Sequence, residues 1–411
     1  MKKQFLISFA IFLFILTGTA IVVLYGRGYR FGLDNGKLDF AGTGMLVSTS
    51  DPDGAQVFIN GHLTTATNNT INLSPGEYNV RIFKDGYFPW EKKIKIKKEV
   101  VSKAEALLFP TAPKLENITS VGVGNPALDP SQTRLAYTVS SQTARKNGVY
   151  VLDMTGRPVL TLQSSSTQIV DDTVDQFSTA LLSWSPDGKE ILATISSSLK
   201  SPTTYALSAS TFNNSPRDVT ATLDTTESLW HKEKIEKEEV RQASLKSDLR
   251  KIISEDFKII SWSPDETKIL YIASRSATLP FVITPRHLGV DTTPEERSIK
   301  ANSLYVYDIK EDKNFSIENL SPQPTNSDLT DEENKAEQLP LTWFPDSQHL
   351  IYVHDKKIDV MEYDGTNSTT LYAGPFVDNY VFPWPNGSKM VILTSLGNAD
   401  ISPNLYTIEI K

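Results

Sequence analysis

Between residues 181 and 196 the chain reads LLSWSPDGKEILATIS, a tight-turn signal standing directly before apolar residues that alternate with polar ones. Nearly the same phrase returns as IISWSPDETKILYIAS at 259 to 274 and as PLTWFPDSQHLIYVHD at 340 to 355. Aligned on the proline, five copies match without gaps: PSQTRLAYT from Pro130, PDGKEILAT from Pro186, PDETKILYI from Pro264, PDSQHLIYV from Pro345 and PNGSKMVIL from Pro385. Proline presets φ at the second position of a turn, Asp or Asn follows, and Gly or a polar residue closes it before a strand of period two. A second alternating run trails each copy: GVYVLDM (148 to 154), TTYALSA (203 to 209), SLYVYDI (303 to 309), KIDVMEYD (357 to 364) and NLYTIEI (404 to 410). Four short antiparallel strands per recurrence predict the blades of a propeller. Trp184, Trp262 and Trp343 precede their prolines by two positions. There a large flat ring wedges between neighbouring blades as part of the core.

The prolines are spaced 56, 78, 81 and 40 residues apart, whereas one blade takes about 40. The longer gaps therefore hold insertions. Residues 225 to 253 carry mixed charge, no turn residues and apolar positions Val240, Leu245, Leu249 and Ile252 at near-helical spacing, with Asp224 and Glu227 placed to form a capping box. This reads as an inserted helix and not as a sixth blade. The stretches RSATLPFVITPRHLGVDTTPEERSIKAN and SPQPTNSDLTDEENKAEQ read as solvent-side insertions. The direct count is five blades, or six if one goes unrecognised in a gap. The last unit ends at Lys411 without an outer strand, and KLENITS (114 to 120) is placed to complete that sheet as a clasp.

Ahead of the repeats, MLVSTS, AQVFIN, TINL, YNVRIF, KKIKIKK and KAEALLF alternate apolar with polar, punctuated by DPDG, NG, SPG and KDG. They predict a compact sandwich of short strands over 42 to 110, in which Gly54, Gly61, Gly76 and Gly86 serve turns or close backbone approach. The pieces SDPDGAQVFING, SPGEYNVRI and KDGYFPW resemble the PEGA domain, a small extracytoplasmic β module. Asp53 stands where that motif has Glu, and TTATNNTI replaces its usual turn. The aromatics of GYFPW pack across the sandwich or form a contact patch. Over 111 to 411, the aromatic-Ser-Pro-Asp-Gly phrase with LYVYDI after it resembles the WD40-like repeat of TolB-type β-propellers. That resemblance implies a ring of blades around a channel, often a binding platform and in some relatives an appendage to a hydrolase.

Residues 5 to 25 are 21 positions without a charge, and a helix of that length covers roughly 30 Å, the thickness of a bilayer's hydrocarbon core. TGTA at 17 to 20 offers cleavage after Ala20, which would make the protein secreted, but IVVLY continues the apolar run and favours an uncleaved anchor. Residues 1 to 26 are then cytoplasmic tip and transmembrane anchor, and 27 to 41 a stalk. Lys2 and Lys3 favour the cytoplasm for the short end, although Arg27 and Arg30 weaken that bias.

Charged residues make up 22% of the chain and hydrophobic ones 39%, the profile of a folded protein. A net charge of -8 supplies no basic field for nucleic acid, and the lack of cysteine excludes disulfides, thiolate metal sites and cysteine nucleophiles. GVGNPA (122 to 127) fits a dinucleotide glycine pattern, but Pro126 and the missing helix remove its meaning; GLDNGK (32 to 37) is too short for a phosphate loop. No Gly-x-Ser-x-Gly elbow occurs. His62, His231, His287, His349 and His354 read as surface or structural imidazoles, since the last two face opposite sides of one strand. DPDG (51 to 54) is too short for a calcium loop, Asp171 and Asp172 read as solvated linker residues, and the lysines of EKKIKIKK as protection of an edge strand or a face for an anionic polymer.

No catalytic, cofactor-binding or metal-binding residue is assigned. The expectation is an all-β protein behind a membrane helix, non-enzymatic, binding another envelope protein or a surface polymer through its propeller. The other expectation is a hydrolase or lyase with its site in the channel.

Overall fold

The computed structural model describes residues 2–26, 29–34, 37–155, 166–197, 200–289, 291–317, 341–398 and 400–411. They divide into two compact units, Met1–Thr111 together with Ile283–Glu295, and Ala112–Val282 together with Glu296–Lys411. The insertion SPQPTNSDLTDEENKAEQ lies outside the described residues.

The first unit opens with helix α1 (Lys2–Gly26), whose apolar window Ile7–Leu24 has no residue buried against protein and suffices in length and composition to cross a bilayer. Where a plain stalk is expected, Tyr29–Asp34 pairs antiparallel with Lys37–Gly42 in a short hairpin. A sandwich of two sheets follows. One sheet has Gly44–Asp51 at its centre, flanked by antiparallel Asn69–Leu73 and parallel Val101–Leu107. The other runs His62–Ala66, Gln56–Ile59, Gly76–Phe83 and Trp90–Ile96. His62–Ala66 is a strand where the sequence suggests only a turn.

Alternation decides what is buried here. Ile94 and Ile96 of the lysine-rich strand turn inward to Leu46, Val57 and Ile82, and Trp90 joins them, so the principal ring of GYFPW is core. Positive φ holds at Gly54, Gly61 and Gly86. Gly76 lacks it and simply opens a strand.

The segment Ile283–Glu295 corrects the expectation of a solvent-side insertion. Its Asp291 pairs with Lys92 at 3.0 Å with both side chains largely buried, and Thr292 Oγ1 donates to the Lys93 carbonyl at 3.0 Å. At Gly289, in positive φ, a Cβ would sit 2.7 Å from the Val101 carbonyl oxygen. Lys92 and Lys93 lie on one edge strand and Val101 on another. The segment thus covers edges that would otherwise present unpaired backbone groups.

The second unit contains five four-stranded antiparallel sheets among the described residues. The first four run strand by strand, Gly124–Leu128 to Ser166–Asp171, Leu181–Trp184 to Arg217–Asp218, Phe257–Trp262 to Lys313–Ser316, and Leu341–Trp343 to Thr369–Ala373, the third with a separate pair, Ala277–Thr278 and Ser298–Ile299, between its second and third strands. In the fifth, Val381–Pro383, Lys389–Thr394 and Asn404–Glu409 are completed by Leu115–Asn117, which pairs antiparallel with the last strand. The expected clasp is present. Asn404 fastens it by accepting from Thr119 Oγ1 at 3.1 Å and from the Gly122 amide at 2.9 Å.

Each Pro-led turn joins the first two strands of a sheet, and the residue two after the proline has positive φ in all five: Gln132, Gly188, Glu266, Ser347 and Gly387. Only two of these are glycine, so the backbone path is conserved through the repeat more strictly than the residue type. Side-chain oxygens hold the path. Asp187 Oδ1 accepts from Ser185 Oγ at 2.7 Å and from the Lys189 amide at 3.0 Å. The Lys189 amide and then the Ser185 hydroxyl keep the Asp187 carboxyl well below the usual range. Asp265 repeats this with Ser263 and Thr267. In the first turn Asp129 precedes the proline and accepts from the amides of Thr133 and Arg134 instead.

Buried clusters link neighbours around the ring. The first and second sheets share Ala136, Val149, Trp184 and Ile191; the third and fourth share Leu270, Val306, Trp343 and Leu350; the fifth and first share Leu135, Leu152, Val391 and Leu405. A Cβ added at Gly387 of the fifth would meet the Phe344 ring of the fourth at 3.0 Å. Between the second and third sheets the chain is helical, with α2 (Leu223–Ala243) and α3 (Ser247–Asp256). The insertion is therefore two helices, not one. No side chain caps α2, whose N-cap is Thr222, so the Asp224–Glu227 capping box is not formed.

The hairpin fills the gap as a ring element. Leu223 and Trp230 of α2 pack on Leu192, Ala206 and Val219 of the second sheet, and Leu249, Ile252 and Ile253 of α3 pack on Phe257, Tyr271 and Tyr305 of the third. Trp184 donates from Nε1 to the Ala127 carbonyl of the preceding sheet at 2.9 Å, and Trp343 is buried between the third and fourth, as expected of wedges. Trp262 differs: it is half-buried and faces α2, because a helix, not a sheet, precedes it.

Candidate functional site

Where α2, α3 and the first strand of the third sheet meet, a cleft of about 830 Å³ opens, within the range of ligand sites. Ile253, Phe257, Ile259, Ile260 and Trp262 form its apolar part; Gln132, Glu238, Arg241, Gln242 and Glu266 form its polar rim. Gln132 comes from the Pro130 turn of the first sheet, so three parts of the ring converge here.

Glu238 organises the rim. Its carboxylate accepts from Trp262 Nε1 at 3.0 Å, from Arg241 Nη1 at 3.2 Å and from Gln242 Nε2 at 2.8 Å. Arg241 also reaches Glu266 at 2.9 Å and lies over the Trp262 indole, 5.4 Å from the ring centroid. In the neighbouring joint Arg134 covers Trp184 in the same way, at 4.9 Å.

The strand Phe257–Trp262 contributes an open edge. It is the first strand of its sheet, at the edge opposite the fourth strand, and among the described residues it is paired on one side only, to Lys268–Ala273. The Ala273 amide donates to Ser303 on the far side, so Phe257 and Ala273 form a wide pair and, by alternation, so do Ile259 and Tyr271. The Ser263 amide bonds Lys268, which makes Trp262 with Ile269 a wide pair too. Among the described residues nothing takes up the backbone amides and carbonyls of Ile259 and Trp262 on the open side. A bulge at Ile260 absorbs one residue between them. Ser261 Oγ, at the same wall, is buried without a hydrogen-bond partner among the described residues.

No histidine lines the cleft, and the described residues contain no group of three or more His, Asp or Glu side chains that could hold a metal ion. His349 is buried with Nδ1 2.6 Å from Asp346, fixing the Pro345 turn. His354 stacks on Tyr352 with centroids 4.4 Å apart and places Nε2 2.8 Å from Asp359. The two are not brought together, and His62, His231 and His287 are exposed.

Other motifs resolve into structure. GVGNPA becomes the first strand of the first sheet with no helix after it. Asp171 and Asp172 are not merely solvated: they accept from the Thr173 and Ser178 amides at 3.1 and 2.9 Å and shape the turn around Phe177. Lys93 and Lys95 lie on an edge strand near Glu77, at 3.6 and 3.8 Å, and Lys92 is taken by Asp291. The lysine-rich face is thereby partly neutralised within its own unit. The cleft itself carries no motif; the signal that pointed nearest to it is the charged helical insertion placed before Trp262.

Residues 43–111 match the PEGA domain. No curated protein matches the chain. Among solved structures, TolB from Acinetobacter baumannii is similar at 15% identity, with 81% of this chain and 59% of that one covered and a TM-score of 0.21. The TolB structure from Agrobacterium tumefaciens shares 13% identity over 70% of this chain and 78% of that one, with a TM-score of 0.22. A prolyl endopeptidase structure shares 10% identity over 87% and 50%, with a TM-score of 0.23. The chain thus spans about three fifths of the first of these. The propeller assignment rests on the connectivity of the sheets themselves.

Proposed function

We propose that the chain is a non-enzymatic, membrane-anchored binding protein of the bacterial cell envelope, with the propeller outside the cytoplasm as its binding platform. The observation that carries this is α1, whose uncharged span from Ile7 to Leu24 finds no cover among the described residues. A bilayer supplies that cover. The PEGA match over 43–111 supports an extracytoplasmic location, and the rigid sheets with a shaped cleft support recognition.

The full-length chain expressed in bacterial membranes tests this reading. External protease added to spheroplasts is expected to digest the propeller, and the intact protein is expected to keep its sequence before Ala20. Crosslinking in the envelope is expected to capture one protein or polymer. A mature chain beginning at Ile21 would remove the anchor, and turnover of a small molecule without any captured partner would favour an enzyme instead.

A further inference from the structure

Resting on that reading, we infer that the cleft takes an extended polypeptide segment of a partner protein, added as a new strand along the open edge of Phe257–Trp262. Four observations converge on a peptide. The backbone groups of Ile259 and Trp262 lie open on the cleft side, and only another backbone offers donors and acceptors in matching alternation. Opposite the sheet these two residues face Tyr271 and Ile269, two apart on a regular strand, so the bulge gives a regular incoming strand the correct spacing. Ser261 Oγ, buried in the same wall, has no hydrogen-bond partner among the described residues. Ile259 and Ile260 offer half-buried apolar surface to alternate side chains of the incoming segment.

The same cleft is poorly made for a glycan. Sugar rings stack on open aromatic faces, but Arg241 covers Trp262 and Phe257 is buried against Tyr271 with centroids 3.6 Å apart. The rim holds two carboxylates, Glu238 and Glu266, against one guanidinium, Arg241. This imbalance selects segments carrying Lys or Arg and disfavours anionic polymers.

The test is to pan a phage-displayed library of random dodecapeptides against the full-length chain in detergent micelles. Enriched peptides are expected to alternate apolar with other residues, to carry a basic residue, and to slow hydrogen exchange at the Ile259 and Trp262 amides. Ile259→Pro removes a donor that the sheet itself does not use and is expected to weaken binding by about tenfold or more. Ser261→Ala deletes an unpartnered hydroxyl, leaves the fold intact, and is expected to weaken binding by about fivefold. The inference is overturned if no peptide is enriched, if enriched peptides bind both variants as tightly as the parent, or if a chito-oligosaccharide protects those amides where no peptide does. Capture of the same envelope partner by the parent and by both variants would sink the peptide edge while leaving the binding role intact.

Discussion

Glu238 on α2 receives the indole N–H of Trp262, both carboxylate oxygens lying 3.0 Å from Nε1. At the corresponding joint between the first two sheets, the indole of Trp184 donates to a backbone carbonyl, that of Ala127. A helix has spent its carbonyls internally, so a side chain must do what a strand does with its backbone. Glu238→Ala is expected to cost about 2 kcal/mol, the scale of a hydrogen bond to a charged group. Chemical denaturation would read the loss, and hydrogen exchange should show faster opening of 223–256 before the sheets. Uniform acceleration across all five sheets would argue against a local role.

The five turns allow a paired test of backbone strain. Gln132 and Ser347 both hold positive φ, at 58° and 60°. Gln132→Gly is expected to stabilise by up to about 1 kcal/mol, because glycine enters that region freely. Ser347→Gly is expected to gain nothing, because Ser347 Oγ accepts the Asp265 amide of the adjacent turn at 3.0 Å. Thermal melts of the two variants decide the matter; equal shifts would show that the turns are not strained in this way.

The clasp depends on few groups. Asn404 Oδ1 serves Thr119 and Gly122, and Thr119 Oγ1 in turn accepts the Leu405 amide at 2.9 Å. Asn404→Ala is expected to cost about 1–3 kcal/mol by leaving a buried donor unmet. Amides of 115–119 and 404–409 should then exchange first, which peptide-resolved hydrogen exchange would detect.

His354 makes stability depend on pH. Partial burial pushes its pKa down, but hydrogen bonds to Asp359 and then Asp355, with their charges, raise it above the ordinary 6.5. The folded state therefore binds the proton more tightly than the unfolded one. The resulting stabilisation is complete below the unfolded value and is lost as pH rises through the raised folded value. His354→Gln is expected to lower the urea midpoint most below the unfolded value, with the difference from the parent closing as pH rises through the raised folded value. A difference that grows with pH would reverse the assignment.

The propeller was readable because its turns are local. Pro186, Pro264 and Pro345, with the acidic residue after each, carry their own hydrogen-bond partners within a few residues, so the motif survives in the sequence wherever the path recurs. The sandwich strands were readable for a related reason: Ile94 and Ile96 alternate with lysines regardless of what lies opposite. His62–Ala66 escaped because its side chains are mostly exposed and leave no alternation. The cleft escaped more completely, since its polar and apolar walls come from positions 132, 238 to 242 and 253 to 266.

The sequence by itself thus determined the membrane-length helix, the period-two strands, the five Pro-led turns and the closing strand, all of which follow from backbone preference and alternation within one stretch of chain. Tertiary structure alone decided that two helices stand in the ring between the second and third sheets, that Trp262 therefore meets a carboxylate, and that Ile283–Glu295 belongs with the first unit. Such choices turn on which surfaces lose water together, and residues far apart in the chain carry no local mark of the partner they will bury.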